Sequence, residues 1–198
     1  MAEKVIQNNE IGEINYVAGI DVGFDLKRKI SRAAVAVLSY PDLELIESTK
    51  AELETVFPYI PGLLSFREVP VIIEALKKIQ QKPNVILCDG QGIAHPRRFG
   101  IASHIGVLTD IPTIGIAKSR LIGVYGTLNQ KKGSKVNLTD KEEIIGAVIR
   151  SRTNVKPLFI SIGHKLDLDT CLRIVWNCIT KYRLPETTRW AHRLASLI

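Results

Sequence analysis

Three short apolar runs stand close together near the start of the chain, and they narrow the possible folds more than any other feature. Val17 to Phe24 is one, Ala33 to Ser39 is a second, and Leu43 to Leu53 alternates loosely as a third. All three have strand length and are rich in β-branched or small apolar residues, without the 3.6-residue period of a helix. The links between them, around Lys27-Arg28-Lys29 and Tyr40-Pro41-Asp42, are turn-like. Links this short cannot make the crossover that parallel neighbours require, so the three runs predict an antiparallel meander.

The rest of the chain alternates. Phe57 to Gly62 holds Pro58 and Pro61 and suits neither a helix nor a central strand. From Leu63 to Gln80 the apolar residues Leu63, Phe66, Val69, Ile72, Ile73, Leu76 and Ile79 recur at helical spacing, with Pro70 expected to kink or interrupt the helix. Asn84 to Cys88 reads as a buried strand, Arg97 to Thr109 as a helix, and Thr113 to Ala117 as another strand. Residues 122–141 are polar and rich in Gly, Lys and Asn, which predicts an exposed hairpin or loop. Strands from Ile144 to Arg150 and Pro157 to Ile162 follow, then helices from Leu168 to Tyr182 and Thr187 to Leu197. A meander followed by alternating helices and strands predicts an α/β layer structure with a mixed sheet, and 198 residues suit one domain over the whole length.

Composition excludes several classes. No apolar run is long enough to span a bilayer, and Met1-Ala2-Glu3-Lys4 lacks a signal-peptide pattern, so a cytoplasmic location is expected. Cys88, Cys171 and Cys178 are odd in number and not closely paired, which argues for small buried hydrophobes over a disulfide framework or a zinc knuckle. The net charge of +7 is unevenly spread. Residues 1–80 carry 9 basic and 12 acidic side chains, and residues 81–198 carry 18 and 8. A basic half points to a polyanionic partner, of which nucleic acid is the usual one, although charge alone does not decide it.

The residues with chemistry sit where strands end. Asp21 closes the first strand and Asp89 the fourth, and ligands of α/β sheets bind at such an edge. Glu68 lies about one turn into the helix between them. Three carboxylates so placed can converge on a divalent cation and hydrolyse a phosphodiester. By spacing alone, though, each reads more readily as a turn, a cap or a solvated helix position. The stretch from Asp89 to His104 is dense in glycine and polar residues, and Gly90 and Gly92 let the backbone approach a ligand closely. Arg97 and Arg98, near an expected helix N-terminus, are candidate phosphate ligands. Lys118, at the end of the next strand, points to the same edge and could neutralise a phosphate or hold a water.

Four blocks carry a resemblance. Gly19-Ile20-Asp21-Val22, Phe57 to Glu68, Asp89 to Gly106 and Ile111 to Leu121 are similar, in order, to the signature blocks of the endonuclease V family, and the likeness extends to Gly146–Arg150 and Leu184–Leu194. The resemblance implies a ribonuclease H-like fold, Mg²⁺ with Mn²⁺ able to substitute, and a nick at the second phosphodiester bond 3′ to a deaminated base. That base is above all deoxyinosine, with uracil, xanthine and mismatches as further targets. By motif it implies Asp21, Glu68 and Asp89 as the acidic catalytic and metal-binding set and Lys118 as the active-site lysine. His192 matches a position near the metal that is His in some members and Asp in others. Pro58, Tyr59, Ile60 and Pro61 match a strand-separating wedge, where an aromatic can stack into the gap left by a flipped base. Gly62, Leu64, Gly90, Ile101 and Leu121 would line the base pocket.

The departures are modest. Gly23 stands where relatives often have Ser or Ala, Ile162 where they often have Pro, and an N-terminal helix found in some relatives is expected to be absent or short. His95 and His164 are candidates for supporting the site or for purely structural burial. The resemblance implies a monomer acting on DNA, with inosine-containing RNA as the alternative substrate. The 2′-hydroxyl contact that separates the two cannot be read from sequence. A non-catalytic binding module would not need all three carboxylates, and a base-excising glycosylase would need no metal.

Overall fold

The computed structural model describes every residue except Leu26, Tyr59, Pro61, Leu197 and Ile198. The meander is present: β1 (Tyr16–Asp25), β2 (Ile30–Ser39) and β3 (Leu45–Glu54) pair antiparallel in succession. Helix α1 (Leu64–Leu76) leads to β4 (Val85–Asp89), and α2 (Ile101–Thr109) leads to β5 (Thr113–Ala117). The strands β6 (Lys135–Asp140), β7 (Glu143–Ile149) and β8 (Leu158–His164) precede helices α3 (Leu168–Cys178) and α4 (Glu186–Ser196). All eight strands join one mixed sheet in the order β3-β2-β1-β4-β5-β8-β7-β6. Its centre is a parallel trio, β1, β4 and β5, flanked on both sides by antiparallel strands.

Strand periodicity divides the core in two. Along β1 and β4, Val17, Val85 and Leu87 enter one apolar cluster, while Ala18, Ile20, Ile86 and Cys88 enter the other. Successive side chains point to opposite faces of a sheet, so the clusters are the two faces. Helices α1 and α2 cover one face with Val69, Ile72, Ala102 and Ile105. Helices α3 and α4 cover the other with Cys171, Ile174, Val175, Trp190 and Leu194. The three cysteines are all buried and unpaired.

Several sequence expectations need correction. Residues 122–141 take the hairpin alternative, β6 pairing with β7 and Val124 bridging to Thr139, but they are not wholly exposed, since Leu138 is buried. The Gly, Lys and Asn content of this stretch hid a short edge strand, whose outward positions are polar. Helix α1 runs through Pro70 and stops at Leu76, and α3 stops at Cys178 instead of Tyr182. Helix α2 begins at Ile101, because Gly100 is extended at its N-cap. Arg97 and Arg98 therefore lie in the turn before the helix, not in its first turn. Among the described residues no helix is long and apolar enough to cross a membrane.

One close approach sets where α4 sits. Gly19 faces the helix, and a Cβ there would lie 2.0 Å from the Thr187 carbonyl oxygen. Only a residue without a side chain lets α4 pack directly on β1. Gly19→Ala must push α4 outward and should destabilise the protein by about 3 kcal/mol, toward the upper end of usual overpacking penalties. That corresponds to a melting temperature lower by roughly 6–12 °C in a scanning calorimeter. A variant melting with the wild type would show that α4 is not held by this contact.

Candidate active site

The parallel trio delivers its carboxylates to one edge. Asp21 lies in the last half of β1, Asp89 is the final residue of β4, and Lys118 directly follows β5. Glu68 reaches the same place from the second turn of α1, and Asp21, Glu68 and Asp89 line one small cavity. His192, on α4, touches Asp21 from the other face of the sheet, Nδ1 lying 2.7 Å from Oδ2. The Lys118 ammonium pairs with Oδ2 of Asp89. The five residues that the sequence singled out for chemistry are thus brought together from five separate segments.

The electrostatics are tense. Glu68 is only 8% exposed. Burial and then the charges of Asp21 and Asp89 push its carboxyl up to about 8, the Arg67 guanidinium offsetting part of this. Burial also raises Asp21, against the opposing hydrogen bond from His192. Three carboxylates in one desolvated corner hold excess negative charge, and Lys118 and His192 have turned onto two of them.

No group of three His, Cys, Asp or Glu side chains among the described residues forms a ready-made coordination sphere. The donor set nevertheless fits a hard cation. Mg²⁺ needs only one or two carboxylates, with water and substrate phosphate completing its shell. Burial, and after it the charges of Asp21 and Asp89, hold the Glu68 carboxyl up, so added positive charge would be accommodated there.

Beside the carboxylates opens a pocket of about 390 Å³ on the α1/α2 side. Gly62, Leu64, Gly90, Ile101 and Leu121, the five residues matched to a base pocket, all line it, together with Glu68, Asp89 and Lys118. Gly90 has φ +156°, and a Cβ there would lie 2.5 Å from a methyl of Ile101, so the tight floor requires glycine. Of the wedge residues, Pro58 and Ile60 are exposed, while Tyr59 and Pro61 lie outside the described residues.

The arginines matched to phosphate binding are engaged elsewhere. Arg98 donates to Asp140 at 2.8 Å, to Glu143 at 2.7 Å and to the His95 carbonyl, pinning the β6–β7 hairpin to the loop after β4. Arg97 donates to the Gly62 carbonyl across the pocket rim. His95 lines the pocket. His164 instead takes a structural role, accepting from the Ile6 amide at 3.2 Å.

Sequence reasoning missed Arg183, between α3 and α4. Its guanidinium donates to the carbonyls of Lys118 at 2.8 Å, Pro157 at 2.7 Å and Lys156 at 2.9 Å. It thereby fixes the backbone from which Lys118 projects. No local pattern marks an arginine that binds carbonyls remote in sequence.

Residues 1–193 match the model of the Endonuclease V family. An endonuclease V from Rippkaea orientalis is 60% identical over 196 residues, covering 99% of this chain and 86% of that relative. The structure of endonuclease V from Streptomyces avermitilis superimposes with a TM-score of 0.93 at 41% identity, covering 98% of this chain and 86% of that one. Endonuclease V from Ciona intestinalis, solved with a 23-mer DNA containing an inosine followed by a ribo-adenosine, gives a TM-score of 0.85 at 29% identity, covering 98% and 90%. The mixed sheet with its covering helices is accordingly the ribonuclease H-like α/β architecture of these proteins.

The charge crowding has a measurable consequence in metal-free protein. Glu68 titrates near 8 when folded and near 4.5 when not, so its ionisation opposes folding fully above about 8 and ceases to do so as pH falls toward 4.5. In EDTA, Glu68→Gln should therefore melt above wild type at alkaline pH, and the gap should shrink as the buffer is acidified. A gap that is constant across this window would show that the carboxyl is not held protonated.

Proposed function

The chain belongs to the endonuclease V family, and from that premise we propose that it is a DNA repair endonuclease that nicks the second phosphodiester bond 3′ to a deaminated base. Deoxyinosine is its chief target, and uracil, xanthine and mismatched bases are secondary ones. The observation that carries this reading is the meeting of Asp21, Glu68, Asp89 and Lys118 at one sheet edge beside a pocket of about 390 Å³. The inosine-containing DNA bound by the Ciona relative supports the choice of substrate.

In this reading Asp21 and Asp89 hold Mg²⁺, or Mn²⁺ in its place, with Glu68 completing the acidic set. The cation would supply charge to the scissile phosphate and lower the pKa of a bound water. Lys118 is placed to exchange its carboxylate partner for a phosphate oxygen, adding positive charge where negative charge develops. His192 orients Asp21 through their hydrogen bond. The flipped base enters the pocket, where backbone donors and acceptors at its glycine-rich floor read the lactam edge of hypoxanthine. Tyr59, which the sequence places between Pro58 and Pro61, fills the gap that the base leaves. The chain acts as one catalytic domain, as a monomer, in the cytoplasm; the joining of all eight strands in one sheet supports the first of these.

A second reading is an endoribonuclease acting on inosine-containing RNA. The ribo-adenosine that follows inosine in the Ciona complex favours keeping it. Matched inosine strands of DNA, DNA with one ribonucleotide, and RNA, each with and without EDTA, separate the two by which strand is nicked fastest.

Asp21→Asn and Asp89→Asn should each lower single-turnover nicking about a thousandfold, reflecting several kcal/mol of lost transition-state stabilisation. Their circular dichroism should match wild type. Loss of less than about tenfold in either variant would contradict the assignment of the metal ligands.

A further inference from the structure

A second cleft lies across the sheet from the base pocket. It is lined by Tyr182, Arg183, Leu184, Arg189, His192 and Arg193, also encloses about 390 Å³, and has no carboxylate in its lining among the described residues. The base pocket is built from the start of α1 and of α2, and these helices cover one face of the sheet. The second cleft is built from α4 and the loop before it, on the opposite face. Asp21 and its partner His192 stand between the two.

Arg189, His192 and Arg193 are three and four residues apart, so they share one face of α4. Arg189 is held rigidly: its guanidinium lies 3.3 Å from the centroid of the Tyr182 ring and 2.6 Å from Glu186. Arg193 is exposed, its guanidinium 5.6 Å from the Trp190 ring. A preorganised guanidinium loses little conformational freedom when it binds an oxyanion. Arg97 and Arg98 bond protein acceptors on the other side, and Arg189 must share its guanidinium between Glu186 and a phosphate, whereas Arg193 is exposed.

We infer that this cleft holds the nucleic-acid strand on the 3′ side of the cut, with Arg189 and Arg193 contacting its phosphates. The inference rests on the proposed nuclease activity and adds a direction to it. If the lesion base occupies the α1/α2 pocket and the scissile bond lies 3′ to it at the carboxylates, the strand must continue past Asp21 and His192. The arginine-lined cleft beside α4 lies next to His192 on that side. The strand thus crosses the edge of the sheet, with its lesion on one face and its 3′ arm on the other.

The test uses single-stranded deoxyoligonucleotides with one inosine and a long 5′ arm, and a 3′ arm that is long or ends just past the cut. Wild type is compared with Arg193→Gln, Arg189→Gln/Arg193→Gln and Lys82→Gln, a control at the opposite end of β4. The double variant should show a severalfold higher KM on the long 3′ arm, with kcat little changed. Most of that deficit should vanish when the 3′ arm is removed, and shortening the 5′ arm should leave it intact. Its affinity for the long strand should also fall less steeply with KCl, the logarithmic slope flattening by about 0.7 for each phosphate that is no longer neutralised. A deficit that ignores the 3′ arm, one that follows the 5′ arm, or none relative to Lys82→Gln overturns the inference. If wild type nicks no inosine strand, the nuclease reading has failed. Binding of an unmodified strand then decides the arginines alone, and an unchanged salt slope in the double variant rejects them.

Discussion

Three carboxylates crowded into a desolvated corner form the constraint on which the rest of the structure turns. Asp21, Glu68 and Asp89 repel one another, and burial weakens the water that would screen them. A fold optimised only for stability would not assemble them. The surrounding structure responds to their charge: Lys118 turns onto Asp89, His192 bonds to Asp21, and Glu68 stays protonated well above the usual carboxylate range. The charge crowding that destabilises this corner is also what suits it, in the proposed reading, to a cation and a phosphate.

The sheet brings these groups together through its parallel centre. Strands β1, β4 and β5 run the same way, so Asp21, Asp89 and Lys118 emerge at one edge although long stretches of sequence separate them. Helix α4 closes the corner from one face because Gly19 lets it lie against β1, and Arg183 ties the end of β5 to the start of β8. The pocket on one face and the arginine-lined cleft on the other are consequences of the same layering. Each is walled by the helices that cover its side of the sheet.

Much of this was legible in the sequence, for identifiable reasons. The strands were readable because apolar runs of their length admit few alternatives. Asp89 and Lys118 stood out because each ends such a run; Asp21 was read as a strand end too, but β1 runs on to Asp25 and Asp21 lies where its pairing with β4 stops. Glu68, His192 and the pocket residues were found through family motifs, since their spacing alone fits solvated or capping positions equally well. Less was legible where tertiary contacts override local pattern. The edge strand β6 was hidden because its outward residues are polar, and α2 started late because Gly100 is extended. Arg98 looked free to bind phosphate, yet it is enclosed by Asp140 and Glu143, which arrive from a hairpin far along the chain. Arg183 and Arg189 gain their roles only from neighbours that folding supplies.

In the proposed reading the carboxylate corner is a cation site, short of positive charge on its own. The most direct measurement is the melting temperature of substrate-free protein in EDTA and in rising MgCl₂ or MnCl₂, for wild type and for Asp89→Asn. Ligand binding to the native state alone raises stability by about 2.7 kcal/mol at a hundredfold excess over Kd. A saturable rise is expected in wild type, much reduced in Asp89→Asn, with the variant melting above wild type in EDTA. No cation-dependent rise in wild type, or an equal rise in both proteins, would rule out a cation site at these carboxylates.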